Sequence, residues 1–372
     1  MSNAIAQRLA ALRGGLAAEE PGARGIERLA RNPSCFTLKA LTITGIKPST
    51  AAARILGEPE RSSQSPFALV LGNQFERRML DNHAALLFTL YREQGVLAPT
   101  ESRIVSIEEF APGASWLARR RREAETRRIL DLRLRGRRDA PNIVIKPRLI
   151  IDIVGVPHAI EPDYLVAANA DVFYRVGELK SYADREGKTK FSDTRSACRQ
   201  AAVGVVGLRQ ELARAGVRDP DARVLARADL VLRGPGSLNP RLNPMTIDGE
   251  VDSLERALAG TSQDLDELEA LLSDGSGLSD PTILSALPHN YRESCKEHCD
   301  LWRICRARSL AAGEPIILGE QAAEQFAPAG TLTRVLDLLN GRGAPARTPA
   351  ESILAELLRS ADAELRKAVG NG

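Results

Sequence analysis

The chain has 372 residues, room for two compact domains or one large domain with appendages, and enough to bury a core without disulfides. Apolar residues make up 43% and charged residues 27%, and the longest apolar stretches, Ala84–Leu90 and Ala201–Leu208, are too short to span a bilayer. The net charge of +3 makes no global demand for nucleic acid, and no charged-then-apolar leader is visible at Met1. A membrane protein, a secreted disulfide scaffold and a disordered chain are therefore not expected; the expected location is the cytoplasm.

Residues 1–60 read as an N-terminal helical segment. Leu9, Leu12, Leu16, Ile26 and Leu29 recur at helical spacing, with breaks at Gly14-Gly15 and Pro21-Gly22. Asn32-Pro33-Ser34-Cys35 ends the pattern, because proline restricts the residue before it. Residues 61–240 form the expected core. Ser62–Ser65 leads into a long helix opened by Pro66, with apolar residues from Phe67 to Leu90. After an arginine-dense stretch from Trp116 to Arg138, four runs read as consecutive strands of one sheet: Ile143–Ile145, Leu149–Val154, Tyr164–Val166 and Val172–Leu179. A helix is expected over Asp193–Leu212, then a last strand over Arg227–Arg233, closed by Gly234-Pro235-Gly236. Residues 241–306 hold an acidic helix, Asp252–Ser273, a link at Asp274–Asp280, and a cysteine cluster. Residues 307–372 form a tail with two helical patterns, Leu332–Leu339 and Ile353–Leu365. The order predicts an α/β core inside helical wrapping.

Two short motifs carry the chemistry. The run Glu161-Pro162-Asp163-Tyr164 precedes Val176-Gly177-Glu178-Leu179-Lys180. Strand side chains alternate faces, so Glu178 and Lys180 are expected on one side and Leu179 on the other. If the two strands pair, Asp163 and Glu178 converge beside Lys180. Two carboxylates make a hard oxygen site for Mg²⁺ or Mn²⁺. Such an ion polarises a phosphodiester oxygen and lowers the pKa of a bound water. A lysine there orients the water or neutralises charge developing on phosphate.

Asp163 followed by Glu178-Leu179-Lys180 resembles the PD-(D/E)XK nuclease superfamily. Arg199-Gln200 on the following helix resembles the glutamine of its RecB-like branch, although Gly204 stands where that branch usually has tyrosine. Gly72-Asn73-Gln74-Phe75-Glu76 resembles the segment that supplies the family's first acidic or histidine residue. The resemblance implies a restriction-endonuclease-like mixed sheet flanked by helices. It also implies Glu76, Asp163 and Glu178 as metal ligands, Lys180 as the catalytic lysine, and Gln200 positioning the substrate or the active-site strand.

The cysteines make the second motif. Cys295, Cys299 and Cys305 crowd together, Cys35 stands alone before the core, and Cys198 lies in the helix with Gln200. An odd number of cysteines argues against full pairing, and clustered thiolates bind zinc or iron–sulfur clusters. Cys35 is the expected fourth ligand, Cys198 a small buried hydrophobe, and His298 a neighbour on the cluster loop. One cysteine before the core and three after it resembles the iron–sulfur nucleases of the same superfamily, the Cas4-like proteins among them. That implies a structural [4Fe–4S] cluster in a helical clasp, with zinc as the alternative.

Ten arginines between Arg119 and Arg138 suit either a DNA-backbone contact or a solvated helix face with internal Glu–Arg pairs. Tyr174, Tyr182 and Phe191 have rings able to stack on bases, but with aromatic residues only 4% of the chain no stacking platform is expected. The expected function is a metal-dependent deoxyribonuclease, an exonuclease on single-stranded DNA or duplex ends. The resemblance places it in prokaryotic repair, CRISPR adaptation or phage defence. The alternative is a catalytically silent DNA-binding subunit with a protein partner on its C-terminal helices.

Overall fold

The computed structural model describes residues 2–60, 66–97, 103–167, 173–184, 189–272 and 275–370. The Ser62–Ser65 lead-in, Val172 and Asp274 lie outside these ranges. The chain runs α1 (Ser2–Arg13), α2 (Gly22–Arg31), α3 (Phe36–Thr44), α4 (Pro48–Leu56), α5 (Pro66–Glu93), β1 (Ile104–Ser106), α6 (Ile107–Phe110) and α7 (Trp116–Leu134). Next come β2 (Ile143–Ile145), β3 (Leu149–Ile153), β4 (Val156–Ile160), β5 (Tyr164–Val166), β6 (Arg175–Ala183), α8 (Phe191–Arg214), α9 (Pro220–Arg223), β7 (Arg227–Arg233) and β8 (Pro240–Thr246). The remainder is helical: α10 (Asp248–Ala259), α11 (Thr261–Leu271), α12 (Pro281–Ala286), α13 (Trp302–Ala311), α14 (Glu320–Phe326), α15 (Leu332–Asn340) and α16 (Pro349–Gly370). No helix among the described residues is long and apolar enough to cross a membrane.

The chain divides into two compact units. The first comprises residues 1–33, 38–47 and 62–283; the second comprises 34–37, 48–61 and 284–372.

A mixed sheet of order β1-β2-β5-β6-β7-β8 forms the middle of the first unit. Its β5–β6 and β7–β8 pairs are antiparallel, while β6 and β7 are parallel and joined through α8. One face packs on α5, where Phe75, Met79, Leu87 and Tyr91 meet Ile143, Tyr164, Val166, Leu179 and Val231. The other face carries α8, which buries Ala197, Ala201, Val205, Leu208 and Leu212. Gly204 lies on that buried side because a Cβ there would crowd Val176 and Pro162.

Four expectations are corrected. The long helix opened by Pro66 is not continuous: Asp81–Ala84 leave helical geometry inside α5, with Asn82, His83 and Ala84 at positive φ. The Leu149–Val154 run is not in the main sheet: β3 pairs with β4 in a separate hairpin through Val154-Gly155, both at positive φ. The strand over Arg227–Arg233 is not the last, since β8 follows it at the sheet edge. There Pro240 and Pro244 are tolerated, because an edge strand leaves half of its backbone groups outside the ladder. The acidic helix is two helices, parted at Gly260.

The second unit is largely helical. Its α15–α16 hairpin closes over Leu338, Leu354 and Ala355. Arg334 and Glu351 form a buried ion pair 3.0 Å apart within it. Arg334 also donates to the Ala344 and Pro345 carbonyls at 2.7 and 2.9 Å, fixing the connection between the helices. Hydrogen bonds satisfy the guanidinium that burial would otherwise penalise.

Candidate active site

The β5–β6 register, with Tyr164 opposite Gly177, brings the residue before Tyr164 level with the residue after Gly177. Asp163 and Glu178 are those two residues. Asp163 Oδ2 accepts the Leu179 backbone N–H at 2.8 Å, which fixes the carboxylate against β6. Leu179 packs in the α5-facing core, whereas Lys180 donates to Gln200 Oε1 of α8 at 2.8 Å. The alternation read from the sequence therefore holds: Leu179 faces α5, and Lys180 faces α8. Lys180 Nζ also lies 2.6 Å from Glu178 Oε1. A register shift between Lys180 and Ala183 ends the regular pairing of β6 with β7 just past these residues. Bulges of this kind re-aim side chains beside functional sites.

Glu76 reaches the same place from α5. Its link is Lys146, whose Nζ lies 2.6 Å from Glu76 Oε1 and 2.7 Å from Asp163 Oδ1. Lys146 directly follows β2, and its backbone N–H is bonded to the Asp163 carbonyl at 3.0 Å. The sequence reading missed it. The available signal was its position: a lysine at the end of an otherwise apolar strand, among few lysines in an arginine-rich chain. A second missed residue is Glu27 of α2, a buried carboxylate whose charge bears on Lys180 and whose Oε1 lies 4.0 Å from Arg31.

These charges set one another. Burial pushes the Glu178 carboxyl up to about 7; Lys180 pulls it down and Asp163 pushes it further up. Burial works against the Lys180 charge, but Glu178 and Asp163 outweigh it and hold the ammonium above its usual range. Lys146 follows the same balance, with burial overcome by Asp163 and Glu76. The result is two carboxylates clamped on one ammonium, and a third carboxylate paired with a second ammonium.

Among the described residues no three His, Cys, Asp or Glu side chains are already gathered as metal ligands. The donor set nevertheless fits a hard divalent ion. Glu76 and Asp163 both aim oxygens at a single positive charge, the Lys146 ammonium, and Glu178 sits beside Asp163 with a carboxyl held high by burial.

The four thiols singled out from the sequence all lie in the second unit. Thr37 ties the Cys35 segment down: its N–H and Oγ1 donate to the Pro288 carbonyl at 2.9 and 2.7 Å. Cys295 lies in a 3₁₀ turn over Glu293–Glu297, Cys299 bonds back to its carbonyl at 2.9 Å, and Cys305 lies in α13. Burial pushes the Cys299 and Cys305 thiols up; Cys35 and Cys295 raise both further, and Cys305 raises Cys299. Among the described residues these thiols are not already gathered as metal ligands, but thiolate is the donor type that zinc and iron–sulfur clusters take. Cys198 is buried in α8 of the first unit.

Much of the arginine excess on α7 is paired. Arg120 meets Glu123, Arg128 meets Glu125, Arg135 meets Asp131, and Arg127 reaches Glu211, at 2.7–3.3 Å. Of the three aromatic residues, Tyr174 is buried and donates to the Pro141 carbonyl, and Tyr182 donates to the Asp193 carbonyl. Phe191 is 73% exposed. In comparison with known proteins, the chain matches no protein-family model and no curated protein.

Proposed function

We propose that the chain is a metal-dependent deoxyribonuclease of the PD-(D/E)XK type, acting on single-stranded or end-containing DNA, with a structural [4Fe–4S] cluster. The observation that carries the reading is the junction of two clusters across β5 and β6: Glu76–Lys146–Asp163 beside Glu178–Lys180–Gln200. Glu76, Asp163 and Glu178 would hold Mg²⁺ or Mn²⁺. When bound, such an ion polarises the scissile phosphate and lowers the pKa of a water.

The chain's own residues account for the rest. An ammonium has three donors. Glu178 and Gln200 each engage Lys180, which fixes its head group, and the remaining donor meets a phosphate oxygen or the attacking water. Asp163 is held by the Leu179 backbone, so it keeps its place when Lys146 moves aside. Cys35, Cys295, Cys299 and Cys305 would hold the cluster, with zinc as the alternative. Because they come from distant parts of the chain, their metal couples to folding of the second unit. The resemblance to the iron–sulfur nucleases implies prokaryotic repair, CRISPR adaptation or phage defence as the setting.

Cleavage of end-labelled single- and double-stranded DNA with and without Mg²⁺ or Mn²⁺ tests the reading; metal-dependent products are expected. A second reading, a silent subunit that docks on a protein partner, is favoured by one observation. Helix α16 leaves Ile353, Leu357, Leu365 and Val369 exposed at helical spacing. Absence of cleavage with all metal centres loaded would favour it.

A further inference from the structure

A cavity of about 610 Å³ lies between the start of α8 and strands β7 and β8. That size is in the range of small-molecule sites. Leu230, Leu232 and Met245 give it an apolar floor, and Phe191 and Arg195 stand at its α8 wall. Leu230 is opposite Glu178, and Leu232 is opposite Lys180, in the parallel β6–β7 pair. Paired residues of neighbouring strands project to the same face, so the floor continues the face that carries Glu178 and Lys180.

The wall is built for a planar ring. Phe191 is 73% exposed, and the Arg195 guanidinium lies 5.5 Å from its ring centroid. Glu250 also holds that guanidinium, at 3.4 Å. An outward aromatic ring over an apolar floor suits the face of a nucleobase, and a guanidinium stacks on bases as well. Asn243 and Thr246 add polar groups that can meet a base edge. The charges bear on which part of a nucleotide enters. Glu250 is paired with Arg195 at 3.4 Å and Asp184 with Arg241 at 3.7 Å, so among the described residues the lining holds no cation left over from a carboxylate to draw in a phosphate, and a neutral base suits it better.

We propose that this cavity takes an unpaired nucleobase of a strand whose phosphate backbone lies at Lys180. The proposal rests on the nuclease reading and sharpens its substrate class. A base held within a duplex cannot turn into the cavity, so the preferred substrate is a single strand or a frayed end.

The test uses the full-length, metal-loaded-cluster protein without Mg²⁺ or Mn²⁺, so that binding is read without cleavage. The probe is a single-stranded oligonucleotide carrying 2-aminopurine, whose fluorescence falls on stacking. Binding is expected to quench it. Phe191→Ala is expected to weaken binding about tenfold and lose the quench, and Phe191→Trp to retain both. Because Phe191 is exposed, its loss leaves the fold intact, which circular dichroism checks. Unchanged affinity and quench in Phe191→Ala would overturn the proposal. Preference for free deoxyadenosine monophosphate over the oligonucleotide would overturn assignment to a strand. Quenching without cleavage on later addition of metal would sink the nuclease reading alone. Cleavage without Phe191-dependent quenching would sink only the base site.

Discussion

Tyr164 and Gly177 are opposite one another in the β5–β6 pair, and the phenol ring of Tyr164 fills the space that a Cβ on Gly177 would need. The ring has no room to retreat. Its hydroxyl lies 2.9 Å from that of Tyr91, which in turn donates to Asp229 at 2.8 Å, all fully buried. Asp163 precedes Tyr164 and Glu178 follows Gly177, so this one contact registers the two carboxylates.

Gly177→Ala is therefore expected to cost about 2–3 kcal/mol, the range for overpacking a filled core. Urea unfolding of the purified chain measures it. An unchanged midpoint would mean that Tyr164 moves freely, and that the ring does not set the register.

Lys146 occupies the place where Glu76 and Asp163 both point. Lys146→Met leaves those carboxylates facing each other and is expected to destabilise the metal-free protein by about 1–2 kcal/mol, discounted for the partial exposure of Glu76. Added Mn²⁺ should then stabilise the variant more than the parent, because no ammonium has to be displaced. Thermal unfolding with and without Mn²⁺ reads both effects. An equal response in the two proteins would remove Lys146 from the site.

The Glu178 carboxyl, held up at about 7 by burial, gives a pH dependence with a definite sign. Its folded pKa lies above its unfolded one. Its contribution to stability is thus fully present below about 4.5 and is lost as pH rises through about 7 in the metal-free protein. A cation needs the deprotonated form, so apparent Mn²⁺ affinity should climb with pH and level off above about 7. Calorimetry in buffers of different ionisation enthalpy also detects the released proton. Affinity independent of pH from 5.5 to 8, a window spanning roughly this range, would place Glu178 outside the ligand set.

Replacing a thiol tests the second unit. Anaerobically purified protein is expected to contain iron and acid-labile sulfide in equal amounts, and Cys299→Ser should lose both. The same variant is expected to unfold at lower temperature, because the ligands join segments distant in sequence. One zinc per chain with no sulfide would establish the zinc alternative. Neither metal in fresh protein would contradict a metal centre there.

The strongest local patterns were legible in the sequence. Alternation in Val176–Lys180 placed Leu179 and Lys180 on opposite faces, and periodicity found α8 almost to its ends. Short edge elements were not legible: β1 has three residues, and β8 carries two prolines that tell against a strand. Assigning Leu149–Val154 to the main sheet failed because apolar runs do not state their partners. The turn at Val154-Gly155 was the cue to a hairpin. Lys146 offered only its position, a lysine closing an apolar strand, and not its partners. Its role comes from two carboxylates, one 70 residues before it and one 17 after: the β2–β5 pairing brings Asp163 to it, and the packing of α5 on the sheet brings Glu76.

In the proposed function the Glu178–Lys180–Gln200 cluster performs phosphodiester hydrolysis beside a bound divalent ion. The most direct measurement is cleavage of end-labelled single-stranded DNA by anaerobically purified protein with Mn²⁺, parent beside Lys180→Ala, with both shown to be folded. Products are expected from the parent, with at least a hundredfold slower cleavage by the variant, on the order expected for losing a transition-state charge stabiliser. Equal cleavage by both, or none by a parent with its metal centre loaded, would contradict the proposed function.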